Sequence, residues 1–187
     1  MAGWLTRRLM NRGNASLNDY ALAQLELSAR DSVLEVGFGG GALLSRLLAT
    51  AAFVQGLDRS ADAVAAARRK FSGSVRSGKA RFDEGAVEAI PLPDASIDKA
   101  ITVHTVYFWR SLDEGMGQFA RVLRPQGRLV IGFLPKKHMD DMNMPAEIFT
   151  PREPEDIVLS LRRAGFDDIE LRRPDASRWL AATARIR

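Results

Sequence analysis

The stretch VLEVGFGGGALL, from Val33 to Leu44, decides the fold of this 187-residue chain. Val33, Leu34 and Val36 form a short apolar run of the kind found in strands buried on both faces. Four of the next five residues are glycines, and good helix formers with leucines at helical spacing come after them. Strand, glycine turn and helix in this order predict the phosphate- or nucleoside-binding corner of a doubly wound α/β sheet.

Two acidic residues stand next to this corner. Glu35 lies inside the apolar run, where a carboxylate must point into the turn or find hydrogen-bond donors, because an unpaired buried charge is unfavourable. Asp58 ends the next apolar stretch, Phe53 to Leu57. An acid at the end of the second strand is placed to accept hydrogen bonds from ribose hydroxyls. The alternative is that Asp58 only caps the helix that begins near Ser60.

The rest of the chain alternates between strand and helix patterns, with two helical segments in front of the first strand. Predicted helices cover residues 3–12, 17–27, 42–48, 61–71, 113–123 and 151–164, and predicted strands cover 33–36, 53–57, 80–83, 97–103, 128–134, 169–171 and 179–184. We expect a solvated loop over 72–79, a turn over 124–127, and either an adaptable methionine-rich lid or a surface loop over 135–150. The lid segment contains His138, Met139, Met142, Met144 and Phe149.

Composition sets limits on function. The chain has no cysteine, which excludes disulfides, thiolate metal sites and a cysteine nucleophile. The net charge of +4 is spread thinly along the chain, so nucleic-acid binding is not favoured. The sequence holds no apolar run long enough to span a membrane and a poor secretory signal at its start. We therefore expect a cytoplasmic protein without a metal centre.

Three segments carry a resemblance to a known family. Glu35 to Gly41, EVGFGGG, resembles the E-x-G-x-G-x-G motif of class I S-adenosylmethionine-dependent methyltransferases. Gly85 to Asp98, GAVEAIPLPDASID, resembles a segment of the small, UbiE-like (methyltransferase type 11) group, and the turn Ala164-Gly165-Phe166 resembles the one before that group's sixth strand. Together they span most of the chain.

The resemblance implies S-adenosylmethionine as the methyl donor and S-adenosylhomocysteine as the product. It implies that Glu35 orients the glycine turn or meets the amino end of the cofactor, and that Gly37 and Gly39 let its methionine part approach closely. It also implies that Asp58 holds the ribose and that Arg59 flanks the adenine. Further cofactor-binding positions implied by the match are Phe38, Gly41 and Thr102.

The adenine loop departs from the family pattern at one position. The aspartate that usually accepts from the adenine amino group falls on Ala86, which removes one expected hydrogen bond of about 1 kcal/mol. The backbone amide of Val87 is still expected to bind adenine, and Glu88 or Glu84 is a candidate replacement for the acid.

Polar and aromatic residues follow the fourth predicted strand, at the edge of the sheet where ligands bind in open α/β folds. His104, Tyr107 and Trp109 match a similar segment of the family. His104 is the first candidate for a catalytic base and Tyr107 a weaker one. The alternatives are that His104 is structural, and that Tyr107, Phe108 and Trp109 belong mainly to the core, with one facing the pocket.

These observations predict a Rossmann-like, doubly wound α/β fold. Its seven-stranded sheet is mostly parallel, with one antiparallel strand near the C-terminus and helices on both faces. We expect one domain over 1–187, with helices in 1–30 either covering the cofactor and substrate side or simply packing on the sheet. The expected function is methyl transfer from S-adenosylmethionine to a small molecule. The alternatives are an NAD(P)-binding Rossmann protein, for which the glycines and Asp58 would serve equally, a nucleic-acid methyltransferase, or a non-catalytic module of the same fold.

Overall fold

The computed structural model describes residues 16–140, 149–174 and 177–187. Its centre is a seven-stranded sheet with the strand order β3-β2-β1-β4-β5-β7-β6. Strands β1 to β5 pair in parallel, whereas β7 runs antiparallel to both of its neighbours. The predicted fold class, including the single antiparallel strand near the C-terminus, is confirmed.

The strands are β1 (Ser32–Val36), β2 (Phe53–Asp58), β3 (Ala80–Glu84), β4 (Ile97–Val103), β5 (Leu123–Phe133), β6 (Phe166–Arg172) and β7 (Leu180–Ile186). The helices are α1 (residues 16–25), α2 (Ala42–Thr50), α3 (Ala61–Lys70), α4 (Ser72–Arg76), α5 (Leu112–Val122), α6 (Lys136–Asp140) and α7 (Pro154–Arg163). Short 3₁₀ turns cover Val87–Ala89 and Val106–Phe108.

Two apolar cores lie on opposite faces of the sheet. Side chains of α1, α2 and α3 pack on one face, and those of α5 and α7 pack on the other. Neighbouring strand residues contribute to different cores, as the two-residue period of a strand requires: Val33 belongs to the first core and Leu34 to the second. Burial on both faces explains why β1 reads as an almost continuous apolar run.

The second of the two predicted leading helices packs on the sheet. Leu17, Ala21 and Leu25 of α1 are fully buried, and the first core includes two of them. No residue of 16–25 lines the cavity described below. Residues 16–25 therefore pack on the sheet, and a role of residues 1–30 at the cofactor side stays a prediction. The predicted helix at residues 3–12 lies outside the described residues.

Three predicted local details were wrong. The stretch 72–79 is not only a loop, because Ser72–Arg76 forms a short helix whose turn is closed by the Val75 amide donating to the Phe71 carbonyl (3.0 Å). The predicted turn at 124–127 is instead a bulge inside β5, where the register shifts from the pair Ile97 and Leu123 to the pair Lys99 and Arg128. Strand β6 begins at Phe166, earlier than predicted, and is irregular between Asp167 and Glu170.

The predicted lid is described only in part. Residues 136–140 are helical, and Met139 is buried in the second core, so it is not part of an adaptable surface. Phe149 contacts Phe108, with 4.8 Å between ring centroids. Residues 141–148, including Met142 and Met144, lie outside the described residues.

Candidate active site

A cavity of about 860 Å³ opens beyond the carboxyl ends of β1, β2 and β3. It lies where the strand order reverses between β1 and β4, which is the usual ligand position in open α/β sheets. The described residues that line it are Val36, Gly37, Gly39, Leu57, Asp58, Arg59, Glu84, Gly85, Ala86, Val87, Glu88, Ala89, His104, Thr105, Phe108, Trp109 and Arg110.

The glycine turn forms one wall because its backbone adopts conformations that side chains disfavour. Gly37, Gly39 and Gly41 all have positive φ angles, of 75°, 48° and 69°. The Gly37 amide donates to the Leu57 carbonyl (2.7 Å), and the Gly41 amide donates to the Phe38 carbonyl (2.8 Å). Gly41 then begins α2 as its N-terminal cap residue. The turn therefore holds β1, β2 and α2 together while leaving bare backbone at the cavity.

The two glycines at the cavity differ in the space around them, and this gives a matched pair of variants. A Cβ on Gly37 would lie 2.3 Å from Cγ2 of Thr105, whereas a Cβ on Gly39 would meet no atom within 4 Å. We expect Gly39→Ala to lower the free energy of unfolding by about 1 kcal/mol, from backbone strain alone. Gly37→Ala should lower it by about 2 kcal/mol, because overpacking is added to strain. Urea unfolding of both variants measures the difference, and equal losses would contradict the contact with Thr105.

Asp58 is fixed at the cavity by two backbone donors. Its carboxylate accepts from the Gly39 amide (2.7 Å) and from the Ser60 amide (2.9 Å), and the residue is only 7 % exposed. The cap of α3 is the Ser60 side chain, which accepts from the Ala63 amide (3.2 Å). Asp58 therefore does not serve only as a helix cap, and its carboxylate connects the glycine turn to the end of β2.

Glu35 lies behind the glycine turn and is absent from the cavity lining. It is 4 % exposed, and its Oε2 atom has no hydrogen-bond partner among the described residues. Burial, with a further contribution from the negative charge of Asp58, raises the pKa of Glu35 to about 8. At neutral pH most molecules therefore hold this carboxyl in its protonated form.

The loop after β3 forms the next wall. Ala86, Val87 and Glu88, the residues predicted to bind adenine, all line the cavity. The Gly85 amide donates to the Asp58 backbone carbonyl (3.0 Å), and Glu88 accepts from the Arg110 amide (2.7 Å). The loop is thus tied both to β2 and to the segment that follows β4.

His104 also lines the cavity and lies directly after β4. Its backbone has a φ of 60°, which is uncommon for a residue other than glycine, and its amide donates to the Gly132 carbonyl (2.8 Å). Its ring makes an edge contact with Trp179, with centroids 4.6 Å apart, and its Nε2 atom has no partner among the described residues. Burial lowers the pKa of His104 to about 4, so the imidazole is neutral at pH 7.

Besides Glu35, four further predicted site residues do not line the cavity. Tyr107 is 5 % exposed, and its hydroxyl accepts a hydrogen bond from the Leu134 amide at the end of β5. Burial raises the pKa of Tyr107 well above its usual value, which disfavours a role as base. Thr102 is fully buried and donates to the Val36 carbonyl (2.9 Å). Phe38 packs on Phe82, and Gly41 serves as the helix cap. These four residues support the walls of the cavity without lining it.

Several residues at the cavity were not predicted. Thr105 packs against Gly37, and both Phe108 and Trp109 line the wall, where only one aromatic residue of the segment was expected. Arg152 lies outside the cavity and donates to the Val106 and Trp109 carbonyls (3.3 and 2.7 Å), which fixes the 3₁₀ turn that carries these residues. No local sequence signal marks Arg152, because both acceptors are more than 40 residues away.

In residues 16–140, 149–174 and 177–187, no group of three or more His, Cys, Asp or Glu side chains is placed to hold a metal ion. Within the same ranges, no helix combines the length and apolar character that a membrane span requires.

Comparison with known proteins places this geometry in a family. Residues 34–131 match the family model described as a methyltransferase domain. The chain is 30 % identical over 165 residues to the uncharacterized methyltransferase YdaC of Bacillus subtilis, covering 87 % of this chain and 86 % of YdaC. It is 31 % identical over 102 residues to the ubiquinone/menaquinone biosynthesis C-methyltransferase UbiE of Geobacter sulfurreducens, covering 53 % of this chain but only 40 % of UbiE.

The fold agrees with solved structures of the same kind. A SAM-dependent methyltransferase from Aquifex aeolicus superposes with a TM-score of 0.72, with 22 % identity, over 91 % of this chain and 89 % of that one. The family match covers the glycine turn, Asp58, the adenine loop and His104 together. The chain therefore belongs to the class I S-adenosylmethionine-dependent methyltransferases, in the UbiE-like methyltransferase domain family.

Proposed function

We propose that this protein binds S-adenosylmethionine in the cavity beside the glycine turn and transfers its methyl group to a small-molecule acceptor. The proposal rests on one observation. Asp58 and the bare backbone of Gly37 and Gly39 line the same cavity, where the strand order of the sheet reverses between β1 and β4.

The residues present fit this cofactor. The cavity volume lies within the range of about 300–1,000 Å³ that is usual for ligand sites. Asp58 offers carboxylate oxygens to ribose hydroxyls, and Glu35 contributes a buried carboxyl oxygen without a partner to the same end of the sheet. Three acids and two arginines line the cavity, so the lining is acidic in a chain of net charge +4. An acidic lining suits a ligand that carries positive charge.

Each wall has a distinct part in holding the cofactor. Asp58 would hold the ribose and the Val87 amide the adenine, with Arg59 at its side. The glycine turn would lie against the methionine part. When bound, S-adenosylmethionine supplies a methyl group that its positively charged sulfur has already activated. The protein then has to align the acceptor with that methyl group and exclude water from the site.

The segment after β4 supports a small acceptor with apolar character. Phe108 and Trp109 line the cavity, and Phe108 is 38 % exposed, so its ring is available to a ligand. His104 is a polar group of the same segment that lines the cavity. As a neutral imidazole it accepts a hydrogen bond from a hydroxyl or amine acceptor and orients that group towards the methyl group. Its pKa near 4 makes it too weak a base to keep the proton that methylation releases, so that proton passes on to solvent. The UbiE relative, named for quinone biosynthesis, supports a small-molecule acceptor rather than a macromolecule.

The role of His104 leads to a prediction about turnover. We expect His104→Gln to lower kcat by about 10²-fold, the usual cost of losing a group that orients the acceptor. The affinity for S-adenosylhomocysteine should stay within about threefold, because the groups proposed to hold the nucleoside, Asp58 and the Val87 amide, are unchanged in the variant. Calorimetry measures the affinity, and steady-state kinetics with an identified acceptor measures kcat. Unchanged kcat in the variant would leave His104 with a structural role only.

The proposal is tested by supplying S-adenosylmethionine with a labelled methyl group to the purified protein, together with pools of phenols, amines, thiols and carboxylic acids. Label transferred to a small molecule in the presence of wild-type protein, and lost with Asp58→Ala, supports the proposal. Label found only on RNA, DNA or protein would replace the small-molecule acceptor with a macromolecule. Tight cofactor binding with no transfer to any acceptor would favour a non-catalytic module.

A further inference from the structure

The imidazole ring of His104 is held by aromatic packing. Trp179 makes an edge contact with it, with 4.6 Å between the ring centroids and 79° between the ring planes. Tyr107 lies further away, with 6.5 Å between centroids. A histidine that orients another group usually has its own ring held by a hydrogen bond at one nitrogen. Among the described residues, no group forms such a bond with Nε2 of His104, and the contact with Trp179 takes its place at this ring.

Trp179 reaches the site because β7 is the antiparallel strand of the sheet. The parallel strands present their carboxyl ends at the edge where ligands bind, whereas an antiparallel neighbour begins at that edge. Leu180, the first residue of β7, pairs with Phe133 at the end of β5. On the other side of β5, the His104 amide donates to the Gly132 carbonyl (2.8 Å). The residue before β7 is therefore brought to the same edge of the sheet as the residue after β4.

Trp179 is itself anchored outside the cavity. Its side chain is half-buried and packs against the second core, and its amide donates to the Ser177 hydroxyl oxygen (3.0 Å). Trp179 is absent from the cavity lining, whereas His104 belongs to it. Trp179 is thus placed to act on a bound molecule through His104 rather than by direct contact.

We propose that Trp179 is a positioning residue for methyl transfer: its ring holds the imidazole of His104 in the orientation in which it binds the methyl acceptor. This inference rests on the proposed function, because it assumes that His104 orients an acceptor in the cavity. The His104 backbone is fixed independently, by its φ of 60° and its bond to Gly132. Loss of Trp179 would therefore free the side-chain torsions of His104 without moving its backbone.

The first experiment needs no acceptor and measures the imidazole by proton NMR. The chain has two histidines, so the His104 signals are those lost in His104→Gln. In wild-type protein we expect cross-peaks between the imidazole and the Trp179 indole, and a ring-current shift of the imidazole protons. Trp179→Leu should abolish that shift, and Trp179→Phe, which keeps an aromatic edge, should retain part of it. Imidazole signals that are unchanged in Trp179→Leu would overturn the inference and leave the proposed function standing.

The second experiment compares turnover of an identified acceptor. We expect Trp179→Leu to lower kcat by about tenfold, because a loosely held aligning group reaches its productive position less often. The affinity for S-adenosylhomocysteine should stay within about twofold, because Asp58 and the Val87 amide are unchanged. The matched control is Ile186→Ala, which removes a partly buried apolar side chain from the same core at the other end of β7. We expect its kcat to equal that of the wild type, and equal losses in the two variants would overturn the inference.

A double variant distinguishes positioning of His104 from a separate effect of Trp179. If Trp179 acts through His104, Trp179→Leu should lower kcat no further in a His104→Gln background. The same tenfold loss in that background would overturn the inference without affecting the proposed function. Trp179→Phe should keep kcat within about threefold of the wild type, since an aromatic edge remains beside the imidazole. Absence of methyl transfer by the wild-type protein would overturn both the proposed function and this inference.

Discussion

Replacing Asp58 by Asn is expected to weaken binding of S-adenosylhomocysteine by about 10- to 100-fold, or about 1.4–3 kcal/mol. Charge-assisted hydrogen bonds from ribose hydroxyls are about twice as strong as neutral ones, and the amide offers only one acceptor oxygen. That carboxylate accepts from the Gly39 and Ser60 amides, so a ligand would meet a group fixed in place. Calorimetric titration of the variant and the wild type measures the difference.

The matched control for Asp58 is Asp62→Asn, four residues further on in the first turn of α3. Asp62 is exposed and is absent from the cavity lining, so the variant removes the same charge without removing a ligand contact. We expect its affinity for S-adenosylhomocysteine to equal that of the wild type. Equal affinity for all three proteins would show that Asp58 does not hold the ribose.

Replacing Glu35 by Gln is expected to stabilise the protein increasingly as the pH rises. The pKa of Glu35 is raised in the folded protein to about 8, well above its value of 4.5 in an unperturbed chain. Between these values the folded state binds more protons than the unfolded state, so wild-type stability falls with rising pH by up to about 1.4 kcal/mol per pH unit. Gln has no such titration. The variant should equal the wild type near pH 4.5 and exceed it by about 2–4 kcal/mol near pH 8.

Urea unfolding of both proteins at a series of pH values measures this difference directly. The control is Glu155→Gln on the exposed first turn of α7, where the same chemical change should leave a small difference that is independent of pH. A Glu35→Gln variant that is less stable than the wild type at pH 8 would mean that the buried carboxylate has a partner after all.

His104 adds an opposite term to the pH dependence of wild-type stability. Its pKa is lowered from 6.5 to about 4, so between these values the folded state binds fewer protons than the unfolded state. Its contribution is therefore present above about pH 6.5 and is lost as the pH falls towards 4. The two slopes oppose each other between about pH 4.5 and 6.5. Above pH 6.5, Glu35 is the one of these two groups whose titration still changes the stability. The interval from pH 6.5 to 8 is therefore the clearest one for comparing Glu35→Gln with the wild type.

The sequence was most informative where the structure depends on local chemistry. The β1 turn, the helix after it and the position of Asp58 follow from glycine conformations and strand patterns within a few residues of each other. The position of the loop after β3 beside the cavity follows for a related reason, since the motif from Gly85 to Asp98 is continuous in sequence and its first five residues line one wall. Its role towards adenine stays a prediction.

The wrong site predictions depend on partners that are distant in sequence. Tyr107 was placed in the cavity because it stands beside His104, but its hydroxyl pairs with the Leu134 amide, which β5 brings to it from 27 residues away. Thr102 pairs across the sheet with Val36, 66 residues earlier. Which side chains of the 3₁₀ turn after β4 face the cavity is set by that tertiary pairing and by Arg152. The sequence pattern around His104 shows neither the pairing of Tyr107 with Leu134 nor the contacts of Arg152.

The central claim is that the corner between Glu35 and Asp58 is built for an adenosyl amino acid rather than for a dinucleotide. It is tested most directly by calorimetric titration of the wild-type protein with S-adenosylhomocysteine and, separately, with NAD under the same conditions. We predict saturable binding of S-adenosylhomocysteine with one site per chain and no measurable binding of NAD. Saturable binding of NAD without binding of S-adenosylhomocysteine would contradict the claim.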